Sequence, residues 1–272
     1  MTTTTPPTAA PTGADLPTPT HDVERAERDL LEHGICAVTG VLDAATLDRA
    51  RTALHRAADD DASRHVERPG FALDLDESNV RVWNLLGRDP VFADLAEHPV
   101  ALRLLRAVLG WPMLLGNISG NITGPGGGAG ALHADQIFVP QPWPAAPQGA
   151  NAAWCLDDFT AERGATCFVP GSHLLNRLPR EGDRPEPVPM EAPAGSLVVF
   201  DSRVWHRTGA NVTPDRRRGA AFAWYTRPIY RTQENWFLAL PPSFARDASD
   251  ELLVLLGHRT EGLGLVDGRS PA

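Results

Sequence analysis

From Gly110 onward the chain breaks into short apolar segments separated by glycine and proline, and this constrains the fold more than any other feature. In Asn117-Ile118-Ser119-Gly120-Asn121-Ile122-Thr123 the polar residues fall on odd positions, while Ile118 and Ile122 share the other face. That period of two belongs to an extended strand, and its polar face is suited to lining a cavity. The run Gly124-Pro125-Gly126-Gly127-Gly128 ends it. Further strands are expected around His133 to Asp135, at Ala152 to Leu156, at Ala165 to Val169, from Ser196 to Phe200 extending toward His206, and at Gly219 to Thr226. Short strands with turn signals between them favour a barrel or sandwich over a parallel α/β sheet.

The residues before Gly110 read differently. Apolar side chains recur at helical spacing from Asp22 to His33 and from Asp43 to Ala58, with Asp22 and Asp43 placed as N-caps and Ile35 to Val38 as a short strand between them. Asp59 to Asn79 is charged and irregular, which suggests a surface loop bordering a substrate entrance. Asp89-Pro90 to Leu109 returns to a helical pattern, and Pro99 divides it into two short helices. Residues 1–20, rich in Thr, Pro and Ala without a basic start or an apolar stretch, read as a disordered tail and not as a signal peptide. The expected organisation is one domain over 21–272: a helical part over about 21–110, a barrel core over about 111–228 and an extension over 229–272. In that extension Trp236-Phe237-Leu238 reads as docked apolar surface and Asp250 to Leu256 as a helix. The fold class is therefore mainly β, with helices packed outside a barrel.

A net charge of −9 over 272 residues gives no basic footprint for nucleic acid, so the expected partner is a small molecule. No run is long and apolar enough to span a bilayer. Cys36, Cys155 and Cys167 form an odd set without CxxC spacing, so neither a zinc knuckle nor a disulfide framework is suggested and a reducing cytoplasm fits best.

The chemistry is concentrated in Leu132-His133-Ala134-Asp135-Gln136. Residues two apart on a strand share a face, so His133 and Asp135 can reach one metal ion, with a third ligand from another strand. The apolar strand that ends in Trp205-His206 offers it. Two imidazoles and one carboxylate leave three open positions, the requirement of an iron(II) centre that holds a co-substrate and O2 together. On its own His-x-Asp is a weak signal, because a surface His near an Asp is usually a solvated pair. The distal histidine and the cationic Arg216-Arg217-Arg218 that follows it give it weight.

These residues resemble the phytanoyl-CoA dioxygenase family of iron(II)- and 2-oxoglutarate-dependent oxygenases. The resemblance runs from about Asn117 to Arg227 and is carried by His133-Ala134-Asp135-Gln136, the turn Val169-Pro170-Gly171-Ser172-His173, the strand into His206, and Asn211-Val212-Thr213 with Arg217. It implies a double-stranded β-helix, a jelly-roll barrel, with His133, Asp135 and His206 as iron ligands. Arg217, eleven residues after His206, is implied as the partner of the C5 carboxylate of 2-oxoglutarate. Arg216 or Arg218 takes that place if the strand register slips by one. Thr166 stands where the family often has a hydroxyl near the co-substrate. Asn117 and Asn121 are candidates for the other carboxylate or the substrate, against a structural role on a polar strand face. The Pro-rich loop Pro140 to Pro144 reads as a lid, with Trp143 and Gln136 as substrate-contacting candidates, although tryptophans are usually core. His173 belongs to a turn and is set aside as a ligand.

The implied reaction is hydroxylation of an unactivated C–H bond in a secondary metabolite or modified amino acid, with O2 as second co-substrate. Desaturation, cyclisation and epimerisation use the same oxidant. Halogenation is disfavoured because Asp135 fills the position a chloride would need. The competing readings are a cupin-like metal enzyme that needs no 2-oxoglutarate, which leaves Arg217 without a task, and a non-catalytic ligand-binding barrel.

Overall fold

The computed structural model describes residues 15–64, 78–259 and 263–271. Two capped helices open it. In α1 (Val23–His33) the Asp22 carboxylate accepts from the backbone N–H groups of Glu24 and Arg25, and in α2 (Ala44–Ser63) Asp43 accepts from Thr46 N–H at 2.7 Å. Each cap satisfies donors that the first helical turn leaves without a partner. Two shorter helices, α3 (Val91–Ala96) and α4 (Pro99–Leu109), meet at Pro99, which occupies the first turn of α4 where its missing N–H costs nothing.

The strands are β1 (Ile35–Val38), β2 (Asn79–Val82), β3 (Leu114–Thr123), β4 (Gly149–Cys155), β5 (Cys167–Phe168), β6 (Val188–Pro189), β7 (Leu197–Asp201), β8 (His206–Arg207) and β9 (Arg218–Thr226). Six form an antiparallel sheet in the order β1-β7-β4-β9-β3-β2, and the other three a small antiparallel sheet in the order β6-β5-β8. Side-chain alternation sorts the large sheet into two faces. Val38, Leu197, Val199, Ala152, Trp154, Ala223 and Ile118 lie on one, packed with Leu30, Leu54, Phe92 and Leu105 from the four helices. On the other, Ile35, Phe200, Val198, Ala153 and Ala220 pack with Phe168 of the small sheet. The order is thus helices, large sheet, small sheet. The fold is mainly antiparallel β with helices outside, and the described strands do not close into a barrel.

Trp154 is fully buried at the junction of sheet and helices, its ring edge-on to His98 with centroids 5.2 Å apart. Trp154→Ala is expected to lower unfolding free energy by about 3–5 kcal/mol, because the large cavity has no neighbour able to fill it. Urea unfolding checks this, and a loss below about 1 kcal/mol contradicts the packing described.

Several elements differ from the sequence-based expectation. The helix α2 runs on to Ser63, so Asp59–Ser63 are not loop; residues 65–77 of that expected loop lie outside the described residues. Of the expected tail, residues 1–14 lie outside them too, but Thr20 bridges Val38 in parallel and Leu16 packs on the inner core, so the stretch before α1 is held by backbone pairing. His133 makes only an isolated bridge, to His206, and Asp135 opens a 3-10 turn (Asp135–Phe138). The β7 strand stops at Asp201, and the chain turns before β8 starts in the other sheet. In the C-terminal segment α5 (Trp236–Ala239), α6 (Phe244–Asp247) and α7 (Asp250–Leu255) follow. Trp236 docks with 1% exposure, but Phe237 and Leu238 are 63% and 83% exposed, since one turn of helix cannot bury consecutive residues on one side. Among the described residues no helix is long and apolar enough to cross a membrane.

Candidate metal centre and co-substrate pocket

His133, Asp135 and His206 converge between the two sheets. His133 Nε2 lies 3.4 Å from Asp135 Oδ1, and His206 Nε2 lies 3.4 Å from Asp135 Oδ2. The backbone creates this meeting. Ala134 is extended (φ −135°, ψ 139°), which turns His133 and Asp135 to the same side even without a regular strand. The reciprocal hydrogen bonds His133 N–H to His206 C=O (3.0 Å) and His206 N–H to His133 C=O (2.8 Å) bring the second imidazole alongside. Each ring is oriented through its other nitrogen: Nδ1 of His133 pairs with Ala131 C=O and Nδ1 of His206 with Val204 C=O, both at 2.9 Å. A donated Nδ1–H fixes the tautomer whose Nε2 lone pair is available to a metal. Burial works to raise the Asp135 carboxyl, but His206 and His133 outweigh it and hold the group far below the usual carboxylate range.

Asn151 on β4, absent from the sequence-based candidates, donates Nδ2–H to Asp135 Oδ2 at 3.0 Å and lies 3.4 Å from Ser202 Oγ, which accepts the Trp224 indole N–H at 3.0 Å. This bond orients the carboxylate. Asn151→Ala is expected to weaken iron(II) affinity by roughly 10- to 100-fold, read by competition with a chelator; an unchanged affinity shows that Asn151 does not orient Asp135.

The three residues lie on the wall of a cavity of about 320 Å³. Asn117, Ser119 and Asn121 line it from β3, as the alternation in that strand predicts, and Thr166 and Phe222 complete the inner wall. Asn117 donates to Gln233 Oε1, and Asn121 donates to Asn79 Oδ1 at 2.6 Å, so both amides are engaged within the protein. Thr166 Oγ1 is buried without a hydrogen-bond partner.

The members of the arginine cluster lie in opposite surroundings. Arg217 precedes β9 and its side chain is exposed. Arg218, the first residue of β9, shares the inner face with Ala220, Phe222 and Trp224 and is fully buried. Its guanidinium donates to Gly164 C=O through Nε (3.2 Å) and Nη2 (2.7 Å) and to Asn121 Oδ1 through Nη1 (3.1 Å), and it stacks over Phe159. Burial lowers its pKa to about 10, so it stays cationic at neutral pH. None of the ion pairs among the described residues involves it, and its partners are a carbonyl and an amide. Arg218 is thus a buried cation held only by neutral groups and linked through Asn121 to the cavity that also carries the unpartnered Thr166 hydroxyl. Arg163, which precedes Gly164, is engaged elsewhere, donating to Arg217 C=O at 2.7 Å.

Trp143 does not face this cavity. It is 4% exposed, packs with Ala134, Val169 and Trp205, and donates its indole N–H to Val139 C=O at 2.9 Å. The Pro-rich loop is pinned by its tryptophan, because an apolar cluster with a carbonyl acceptor suits the ring better than solvent. Gln136 is likewise turned away from the metal-ligand cluster; its Oε1 accepts Gln148 N–H at 2.9 Å and its side chain borders a neighbouring chamber. Trp224, a core residue by the sequence prior, lines the cavity instead.

Comparison with known proteins agrees with this geometry. The family model described as phytanoyl-CoA dioxygenase (PhyH) matches residues 30–219. Dioxygenase af480 of Aspergillus fumigatus is 37% identical over 240 residues, covering 87% of this chain and 77% of that protein. Dioxygenase swnH1 of Arthroderma benhamiae is 30% identical over 226 residues, 73% of this chain and 72% of its own. Among solved structures, the epimerase SnoN in complex with Fe3+, alpha-ketoglutarate and nogalamycin RO superposes with a TM-score of 0.64 at 25% identity, over 92% of this chain and 97% of that one. HygX from Streptomyces hygroscopicus with nickel, 2-oxoglutarate and hygromycin B bound shares the fold, with a TM-score of 0.63 at 18% identity over 83% of this chain and 94% of that one.

Proposed function

The chain belongs to the phytanoyl-CoA dioxygenase family and is an iron(II)- and 2-oxoglutarate-dependent dioxygenase; on that premise we propose that it hydroxylates an unactivated C–H bond of a secondary metabolite, with His133, Asp135 and His206 as iron ligands and Arg218 as the anchor of the co-substrate. The observation that carries this is the His133, Asp135, His206 cluster, whose ligand atoms all lie within 4.8 Å of one another. Iron(II) and 2-oxoglutarate, when bound, supply with O2 the oxidant that breaks the C–H bond, and 2-oxoglutarate leaves as succinate and CO2.

The residues of this chain do the rest. The two Nε2 atoms and the Asp135 carboxylate would hold the metal at the cavity wall. Arg218, now held by Gly164 C=O and Asn121 Oδ1, would pair with the distal carboxylate of 2-oxoglutarate, and the Thr166 hydroxyl, now without a partner, would donate to the same carboxylate. Phe222 and Trp224 form the apolar wall against which a C–H bond can be held without a competing polar group. The complex of SnoN with nogalamycin RO supports a secondary metabolite as the substrate class. A reducing cytoplasmic setting accords with three free cysteines.

The test is succinate release from 2-oxoglutarate across a panel of secondary metabolites, with mass spectrometry of the product. A substrate that couples succinate one to one with a product heavier by one oxygen atom is the expected result. A product of unchanged mass, or one lighter by two hydrogens, replaces hydroxylation by epimerisation or by desaturation and cyclisation.

A further inference from the structure

Beside the cavity of the metal ligands lies a second chamber of about 300 Å³. Phe138, Trp224 and Gln233 line both. The Phe138 and Trp224 rings, 5.8 Å apart and inclined at 50°, form the partition. The indole is fixed in place. Gly116 and Gly149 lie against it, and a Cβ at either would come within 2.3 Å or 2.8 Å of the ring system, while its N–H is held by Ser202 Oγ. Phe138, 64% exposed on the turn that begins at Asp135, is the side of the partition that meets solvent.

The chamber wall is largely apolar, yet two of the residues that line it, each 1% exposed, carry a buried polar atom without a partner: Gln136 Nε2 and Thr226 Oγ1. The Gln136 amide is not free to turn over, because its Oε1 accepts Gln148 N–H and leaves Nε2 as the surplus donor. Thr226 ends β9 on the same face as Phe222 and Trp224. Of the nine buried side-chain polar atoms without a partner among the described residues, Gln136 Nε2 and Thr226 Oγ1 are the two whose residues line this chamber, and one ligand oxygen between them would serve both. The larger cavity must also hold the metal and 2-oxoglutarate, so a substrate of ordinary size extends past the partition.

We propose that this side chamber takes the distal half of the substrate, and that this half is an uncharged, largely apolar ring system bearing a carbonyl or hydroxyl oxygen. The oxygen accepts from Gln136 Nε2 and pairs with Thr226 Oγ1, while the ring lies against Phe138, Trp224 and Tyr230 in the offset or edge-on contacts aromatic groups prefer. The proposal rests on the dioxygenase assignment, because it makes the chamber an annex of that site.

The test uses 2-hydroxyanthraquinone, a neutral oxygenated tricycle, titrated by fluorescence into the wild-type protein, Thr226→Val and Val139→Trp. The anaerobic absorption band of the iron(II) and 2-oxoglutarate chelate is recorded in each. Thr226→Val removes only the orphan hydroxyl, so it is expected to raise the melting temperature and yet weaken the probe by about tenfold. Val139→Trp fills the chamber and is expected to abolish binding with the band retained. Equal affinity in all three proteins, or no binding to wild-type protein that shows the band, overturns the side-chamber proposal. Absence of the band in folded wild-type protein overturns the dioxygenase assignment itself, whatever the probe does.

Discussion

Arg218→Met is expected to raise the 2-oxoglutarate concentration for half-saturation by roughly 10²- to 10³-fold, whereas Arg217→Ala leaves it within about twofold. The two residues are neighbours in sequence and opposites in surroundings. Arg218 is fully buried, holds Gly164 C=O and Asn121 Oδ1, and has no carboxylate partner among the described ion pairs; Arg217 lies in solvent before the strand begins. Removing one partner of a desolvated, hydrogen-bonded charge pair costs about 3–5 kcal/mol, while an exposed charge contributes little. Steady-state kinetics in 2-oxoglutarate read the difference. Thermal shift by 2-oxoglutarate supplies a second readout, present in wild type and Arg217→Ala and lost in Arg218→Met. A large effect at Arg217 with none at Arg218 reverses the assignment.

The second large effect is at Asp135. Asp135→Ala is expected to weaken iron(II) binding on the order of a thousandfold, since it removes the one anionic ligand and leaves two neutral imidazoles. Asn151 donates to the carboxylate and the Nε2 atoms of both imidazoles face it at 3.4 Å, so the variant also removes the group around which the two rings are arranged. Equilibrium dialysis against iron(II) measures the loss, and circular dichroism separates it from unfolding. Retention of iron at wild-type affinity removes Asp135 from the ligand set.

The candidate metal-ligand cluster was legible in the sequence because its signal is local. His133 and Asp135 are two residues apart in extended backbone, and that geometry survives although the regular strand does not: Ala134 alone supplies the extended dihedrals before the 3-10 turn. The polar odd face of β3 was legible for the same reason, since alternation depends on the strand itself and not on its partners. The burial of Arg218 was obscured by a phase ambiguity. A count from His206 points to Arg217, but the face of β9 is set by which alternate residues enter the cavity, and Phe222 and Trp224 share the parity of Arg218. Asn151 could not be found by motif, because it reaches Asp135 only through the pairing of β4 with β7 and β9. The two tryptophans exchanged roles through packing. Trp143 finds an apolar cluster and a carbonyl under its own loop, while Trp224 is brought to the cavity by register, opposite Asn117 on one side and Asn151 on the other.

The central claim is that one cluster, His133, Asp135 and His206 with Arg218 behind it, holds iron(II) and 2-oxoglutarate together. Anaerobic titration of the protein with iron(II) and then 2-oxoglutarate, followed by visible absorption, tests it without any knowledge of the substrate. The expected result is a charge-transfer band that saturates at one equivalent of each in wild type, disappears in Asp135→Ala, and in Arg218→Met appears only at roughly 10²-fold higher 2-oxoglutarate. Folded wild-type protein that retains iron(II) yet develops no band on addition of 2-oxoglutarate would contradict it.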